Sequence, residues 1–189
     1  MSNLTDFFPS GGGGGLTPKF EEFNASGTFT PSQALIDAGG YIEVFLVGAG
    51  GISSSATTGA NGGEVLMKNM YLTSVSGCVV TIAAGLTAAG TGGDSSFIGS
   101  SAGGVDITAI GGSQGYAQNE KMGSGWGSYF STGADIGMAA GSGTLGYGAG
   151  SSGNLYYGGI YIGKDNSGQA GSTNSGKSGS GYCLIKWYE

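Results

Sequence analysis

The stretch YIEVFLVG, Tyr41–Gly48, decides the reading of the chain. Side chains alternate between the two faces of a β-strand, so Ile42, Val44 and Leu46 share one face. Phe45 and Val47 share the other, and the second half of the stretch is apolar on both sides. That pattern predicts an inner strand between two layers. Working outward, CVVTIAA (Cys78–Ala84) puts Cys78, Val80 and Ile82 on one face, and YCLIKWY (Tyr182–Tyr188) does the same with Cys183, Ile185 and Trp187. SSFIG (Ser95–Gly99), VDITAIGG (Val105–Gly112) and LYYGGIYI (Leu155–Ile162) are strand-like, the last broken by Gly158 and Gly159. Phe20–Phe23 and Thr28–Pro31 suit short edge pieces. EVLMKNMYL, Glu64–Leu72, fits a helix or a strand equally. No segment carries the period of a long amphipathic helix. Short strands separated by Gly-Gly, Gly-Ser and Thr-Gly turns predict an all-β fold, a glycine-rich β-sandwich of jelly-roll type.

Glycine supplies 44 of the 189 residues. A share that high commonly marks low complexity. Here only 10% of residues are charged, and the apolar residues are gathered into short runs, which argues for a folded domain. Glycine allows positive φ in turns and close approach of backbones. Tracts such as GSGTLGYGAGSSG, Gly141–Gly153, are therefore expected to pack side by side as polyglycine-like extended segments, much as only glycine fits the crowded axis of collagen. The chain divides into an arm over 1–25 and a glycine-rich β domain over 26–189. In the arm, MSNLTDFFPS precedes five glycines, a flexible tether. Leu4, Phe7 and Phe8 make a small apolar cluster on that tether, the pattern of a docking peptide.

The net charge is −6, all six basic residues are lysines, and there is no histidine. Nucleic-acid binding usually shows a basic patch in which arginine reads bases and phosphates, so that partner class is disfavoured. The usual general base and the commonest metal ligand are missing, and no cofactor or metal is called for. Two cysteines form neither a disulfide scaffold nor a zinc cluster, and both fall on apolar strand faces as buried thiols. No secretory signal pattern and no run of 18 apolar residues occurs, so no membrane span is expected.

Several matches to catalytic patterns dissolve in context. GSTNSGKS, Gly171–Ser178, fits the phosphate-binding loop of nucleotide hydrolases. Such a loop needs a buried strand before it and a helix after it, whose N-terminal amides hold the phosphates. Here polar turn formers precede it, and GSGYCLIKWYE, which suits a strand, follows. GSGTLG and GAGSSG fit a dinucleotide fingerprint but lack the strand–turn–helix setting. Asp94, Asp106, Asp135 and Asp165 lie in or near loops, and a converging carboxylate pair among them would suit glycoside hydrolysis.

The aromatic residues are more informative. From Tyr116 to Ile162 the chain carries six tyrosines with Trp126 and Phe130, and its only charged residues there are Glu120, Lys121 and Asp135. Rigid rings on small-residue loops give contact area at low entropic cost, as in antibody contact loops. Loops at about 113–165 are therefore the candidate binding surface, with Tyr116, Trp126, Tyr129, Tyr147, Tyr156 and Tyr157 as its contacts. The bland alternative, that such rings fill the core, applies to part of the set.

The elements in order are SGTFTP, IEVFLVGAGG, GANGGEV, VTIAAG, GTGGDSSF, ITAIGG and a closing GSGYCLIKWYE. This order resembles the glycine-rich domain of bacteriophage tail fibres and related virion proteins, over roughly Ser26–Glu189. The opening MSNLTDFFPSGGGGG is similar to the short leaders of some marine phage structural proteins. The resemblance implies a virion structural protein assembled in the host cytoplasm. It implies an oligomer, most often a trimer, docked through Leu4, Phe7 and Phe8 and adhering to a host glycan or protein without turnover. A head fibre or capsid decoration protein is the runner-up, and an enzyme acting on surface glycans is the alternative class.

Overall fold

The computed structural model describes residues 15–54, 60–99, 106–114, 136–138, 168–171 and 177–189. Nine strands and one helical turn are found there: β1 Pro18–Phe23, β2 Gly27–Phe29, α1 Gln33–Asp37, β3 Tyr41–Val47, β4 Val65–Tyr71, β5 Cys78–Thr81, β6 Ser95–Ile98, β7 Ile107–Ala109, β8 Ile136–Met138 and β9 Tyr182–Tyr188. They form two antiparallel sheets. The larger has the order β1-β9-β3-β4-β8 and the smaller β2-β5-β6-β7. The all-β class read from the sequence holds. Of the expected strands, Leu155–Ile162 lies outside the described residues. β8 was not read from the sequence at all.

β3 is the middle strand of the larger sheet, bonded to β9 on one side and β4 on the other. Its Ile42, Val44 and Leu46 are fully buried with Cys183 and Ile185 of β9 and Leu66 and Met70 of β4. Cys78, Val80, Phe97, Ile107 and Ala109 from the smaller sheet complete the same core. Burying each large apolar side chain contributes about 1.5–3 kcal/mol. The ambiguous Glu64–Leu72 stretch becomes strand because β4 pairs with β3 along its whole length, from Tyr41↔Tyr71 to Val47↔Val65. The helical turn α1 is started by Ser32, whose hydroxyl accepts the Leu35 N–H at 3.0 Å, and it delivers Leu35 to the core.

β1 falls within the 1–25 boundaries given to the arm, yet it is the edge strand of the larger sheet, in register with β9 from Pro18↔Tyr188 to Phe23↔Cys183. The backbone of Thr17 closes this end through two hydrogen bonds with Glu189.

Beyond the end of β3 the chain leaves the sheet but stays buried from Gly48 to Ser53. Successive N–H groups there point to different neighbours: Gly48 to Glu64 O, Ala49 to Gly93 O, Gly50 to Gly179 O, Gly51 to Asn61 O and Ile52 to Gly90 O, all at 2.9–3.0 Å. The fourth donor returns to the segment used by the first, and the fifth to that used by the second. A three-residue repeat is the period of an extended polyproline-II-type helix rather than of a β-ladder. At its glycines a side chain has no room. A Cβ on Gly50 would overlap the Gln169 carbonyl, and one on Gly51 the Ser113 carbonyl.

Candidate functional site

The residues chosen from the sequence as contacts lie outside the described residues: Leu4, Phe7 and Phe8 of the arm, and Tyr116, Trp126, Tyr129, Tyr147, Tyr156 and Tyr157 of the loops. Among the described residues, the surface with chemical character is the outer face of the larger sheet. Alternation that turns Ile42, Val44, Cys183 and Ile185 inward turns their neighbours outward.

The register arranges that outer face in rows across the strands, about 7 Å apart along them. The first row holds Pro18, paired with Tyr188, and Tyr41, paired with Tyr71. The two rings of the Tyr41–Tyr71 pair meet edge to face with centroids 5.4 Å apart. The second row is Phe20, Lys186, Glu43 and Asn69. The third is Glu22, Leu184, Phe45 and Met67, and the fourth Tyr182, Val47 and Val65. The last two rows are stabilised as a second small apolar cluster, in which Phe45 and Leu184 pack on buried Val47, Val65 and Tyr182. This cluster explains why the second half of β3 is apolar on both sides. Tyr182 is amphipathic: its ring packs on Phe45 at 6.3 Å and its hydroxyl hydrogen-bonds the Glu22 carboxylate at 2.8 Å.

The polar second row crosses an otherwise aromatic and aliphatic face. Lys186 Nζ stands 3.9 Å from Glu43 Oε1. Around this pair Phe20, Glu22, Tyr41 and Tyr188 wall an open cleft of about 390 Å³. Phe20 is 70% exposed and Tyr188 53% exposed. The sequence already showed both in strands. Their convergence with Tyr41 was missed because it follows from the pairing of three strands that are distant along the chain.

At the same end of the sheet, Glu189 accepts hydrogen bonds from the Ser32 hydroxyl and from Trp187 Nε1 at 3.2 Å, with Lys19 Nζ at 3.8 Å. Those hydrogen bonds, that from Ser32 first, hold the Glu189 carboxyl below the ordinary glutamate value. Trp187 in turn packs edge-on against Phe29, centroids 5.3 Å apart, from the core side.

Of the catalytic pattern matches, GSGTLG, GAGSSG and residues 172–176 of the phosphate-loop match lie outside the described residues. Gly171 donates to Gly51 O, and Ser178, fully buried, is bonded to Leu86 through both backbone and hydroxyl. The segment after it runs into β9, with no helix at that point. Asp94 accepts the Gly111 N–H at 2.8 Å, and Asp135 and Asp165 lie outside the described residues. Among the described residues no three His, Cys, Asp or Glu side chains converge as a metal site, and no helix is long and apolar enough to cross a membrane. Cys78 and Cys183 are both buried and are not joined in a disulfide. Burial, with a smaller contribution from Glu21, pushes the Cys183 thiol up to about 12. No protein-family model matches the chain, and no curated protein matches it significantly.

Proposed function

We propose that the chain is a virion structural protein of tail-fibre type that binds the host cell surface. The observation that carries this reading is the ordered series of glycine-bearing strand motifs, from SGTFTP to the closing GSGYCLIKWYE. The two antiparallel sheets and the three-residue hydrogen-bond repeat along Gly48–Ile52 support a glycine-rich β-sandwich of jelly-roll type, extended by polyglycine-like packed segments. Such a body is a rigid platform, and binding residues are commonly carried on loops held by one. In this reading Leu4, Phe7 and Phe8 dock the arm to another virion protein. The loops at about 113–165 meet a host glycan or protein, and three copies act together. The mechanism is adhesion, and the protein's place is the tail of the particle.

The test replaces Trp126, Tyr129 and Tyr147 together with alanine in particles that carry the protein. Truncating a well-packed aromatic contact costs about 2 kcal/mol or more, and several copies multiply the loss through avidity. Adsorption to host cells is expected to collapse while the protein still melts cooperatively. Unchanged adsorption with folding intact rejects these loops as the contact surface and moves a capsid decoration role ahead.

A further inference from the structure

We propose that the cleft on the outer face of the larger sheet is a saccharide site, accepting a neutral hexose oligomer. It lies on residues that the host-binding reading does not use, and it stands or falls independently of that reading. At about 390 Å³ the cleft is within the roughly 300–1,000 Å³ range of small-molecule sites. Its walls present the rings of Phe20, Tyr41 and Tyr188, two of them more than half exposed. Such rings offer an apolar face to the C–H side of a sugar, and the tyrosines add a polar edge.

The second row decides the chemistry of the occupant. Lys186 Nζ and Glu43 Oε1 are 3.9 Å apart, beyond the roughly 2.7–3.2 Å of a direct hydrogen bond. A hydroxyl placed between them donates to the carboxylate and accepts from the ammonium. An aliphatic chain or an apolar peptide in the same place strips water from the ion pair and returns no hydrogen bond, which is unfavourable. A polyol therefore fits where an apolar partner does not. Lys19 and Lys186 balance Glu22 and Glu43 around the cleft, while the chain as a whole carries −6. That field repels an acidic saccharide and leaves a neutral one unaffected.

The full chain, labelled with ¹⁵N, is titrated at millimolar concentration with maltohexaose, cellohexaose and mannohexaose, and with tetragalacturonic acid as the acidic comparison. At least one neutral hexamer is expected to shift the amide signals of β1, β3 and β9, and the acidic oligomer to bind more weakly. Phe20→Ala and Tyr188→Ala each change an exposed side chain, so the fold persists, and each is expected to weaken binding about tenfold or more. Glu43→Gln keeps the shape and is expected to weaken binding as well. The proposal is overturned if none of the three neutral hexamers shifts these signals, or if both folded alanine variants bind as the parent does. Protein-concentration-dependent shifts of the same amides without sugar, a second copy in the cleft, also overturn it. Hexose binding by a chain that never joins particles retains the cleft and removes the virion reading. Loop-dependent adsorption without hexose binding does the reverse.

Discussion

Leu86 and Ser178 hold each other by two reciprocal hydrogen bonds: the Leu86 N–H donates to Ser178 Oγ, and the Ser178 N–H donates to the Leu86 carbonyl, each at 2.9 Å. The serine of a pattern that resembles a phosphate loop is thereby committed to the backbone of a distant segment. Deleting its hydroxyl removes the acceptor of the part-buried Leu86 N–H, and the loss of one such hydrogen bond costs about 0.5–1.5 kcal/mol. Ser178→Ala is expected to lower the unfolding free energy, measured by denaturant titration, by that amount. Lys177→Ala is expected to leave it nearly unchanged. Micromolar ATP binding that disappears with Lys177→Ala would contradict the structural role.

The Gly48–Ile52 bundle predicts a sharp contrast between two glycines. Gly50→Ala drives a methyl into the Gln169 backbone, which has no rotamer through which to yield. Overpacking of this kind costs about 3 kcal/mol, and a rigid backbone neighbour puts the change at the upper end of that scale. Gly90→Ala meets only Leu86 Cδ1 at 3.5 Å and a carbonyl at 3.9 Å, ordinary contact distances. Its effect is expected within about 0.5 kcal/mol. Thermal melts of the two variants, made side by side, check the difference, and equal melting temperatures would sink the close-packing account.

Cys183 predicts an alkaline loss of stability. Its thiol titrates at about 12 in the fold against an ordinary 9.0, chiefly because burial disfavours the thiolate. A folded-state value above the unfolded one means that the contribution is complete below pH 9.0 and is lost as pH rises toward 12. The slope attributable to this group is about 1.4 kcal/mol per pH unit in that window. The denaturant midpoint of the parent should fall more steeply than that of Cys183→Ala between those limits. Parallel curves would show that the thiol does not drive the loss. The native protein should also resist a thiol reagent at pH 8 until denaturant is added, since both cysteines are buried.

Removing Met1–Ser10 leaves untouched every pairing of β1, which begins at Pro18. The shortened chain is expected to keep the parent's melting temperature. If Leu4, Phe7 and Phe8 are the docking residues, it no longer joins particles, because burial of two phenylalanines contributes about 3–6 kcal/mol before ordering costs. Particle incorporation, measured by quantitative blotting of purified virions, checks this. Incorporation at the parent's level removes the arm from the docking role.

What the sequence determined by itself was local. Alternation over Tyr41–Val47, Cys78–Thr81 and Tyr182–Tyr188 placed three strands and named their inward residues, because the period of two is a property of consecutive side chains. Glycine content likewise announced close backbone packing. Tertiary structure decided everything that needs a partner. Glu64–Leu72 was equally helix or strand until β3 bonded along it, since short apolar runs fit either period. Among the described residues the close packing is built at Gly48–Ile52, from segments that include Gly90, Gly93 and Gly179, while the tract Gly141–Gly153 lies outside the described residues. Phe20, Glu43 and Lys186 share a row only because β1, β9 and β3 pair in one register, and a slip of one residue would turn each of them to the opposite face.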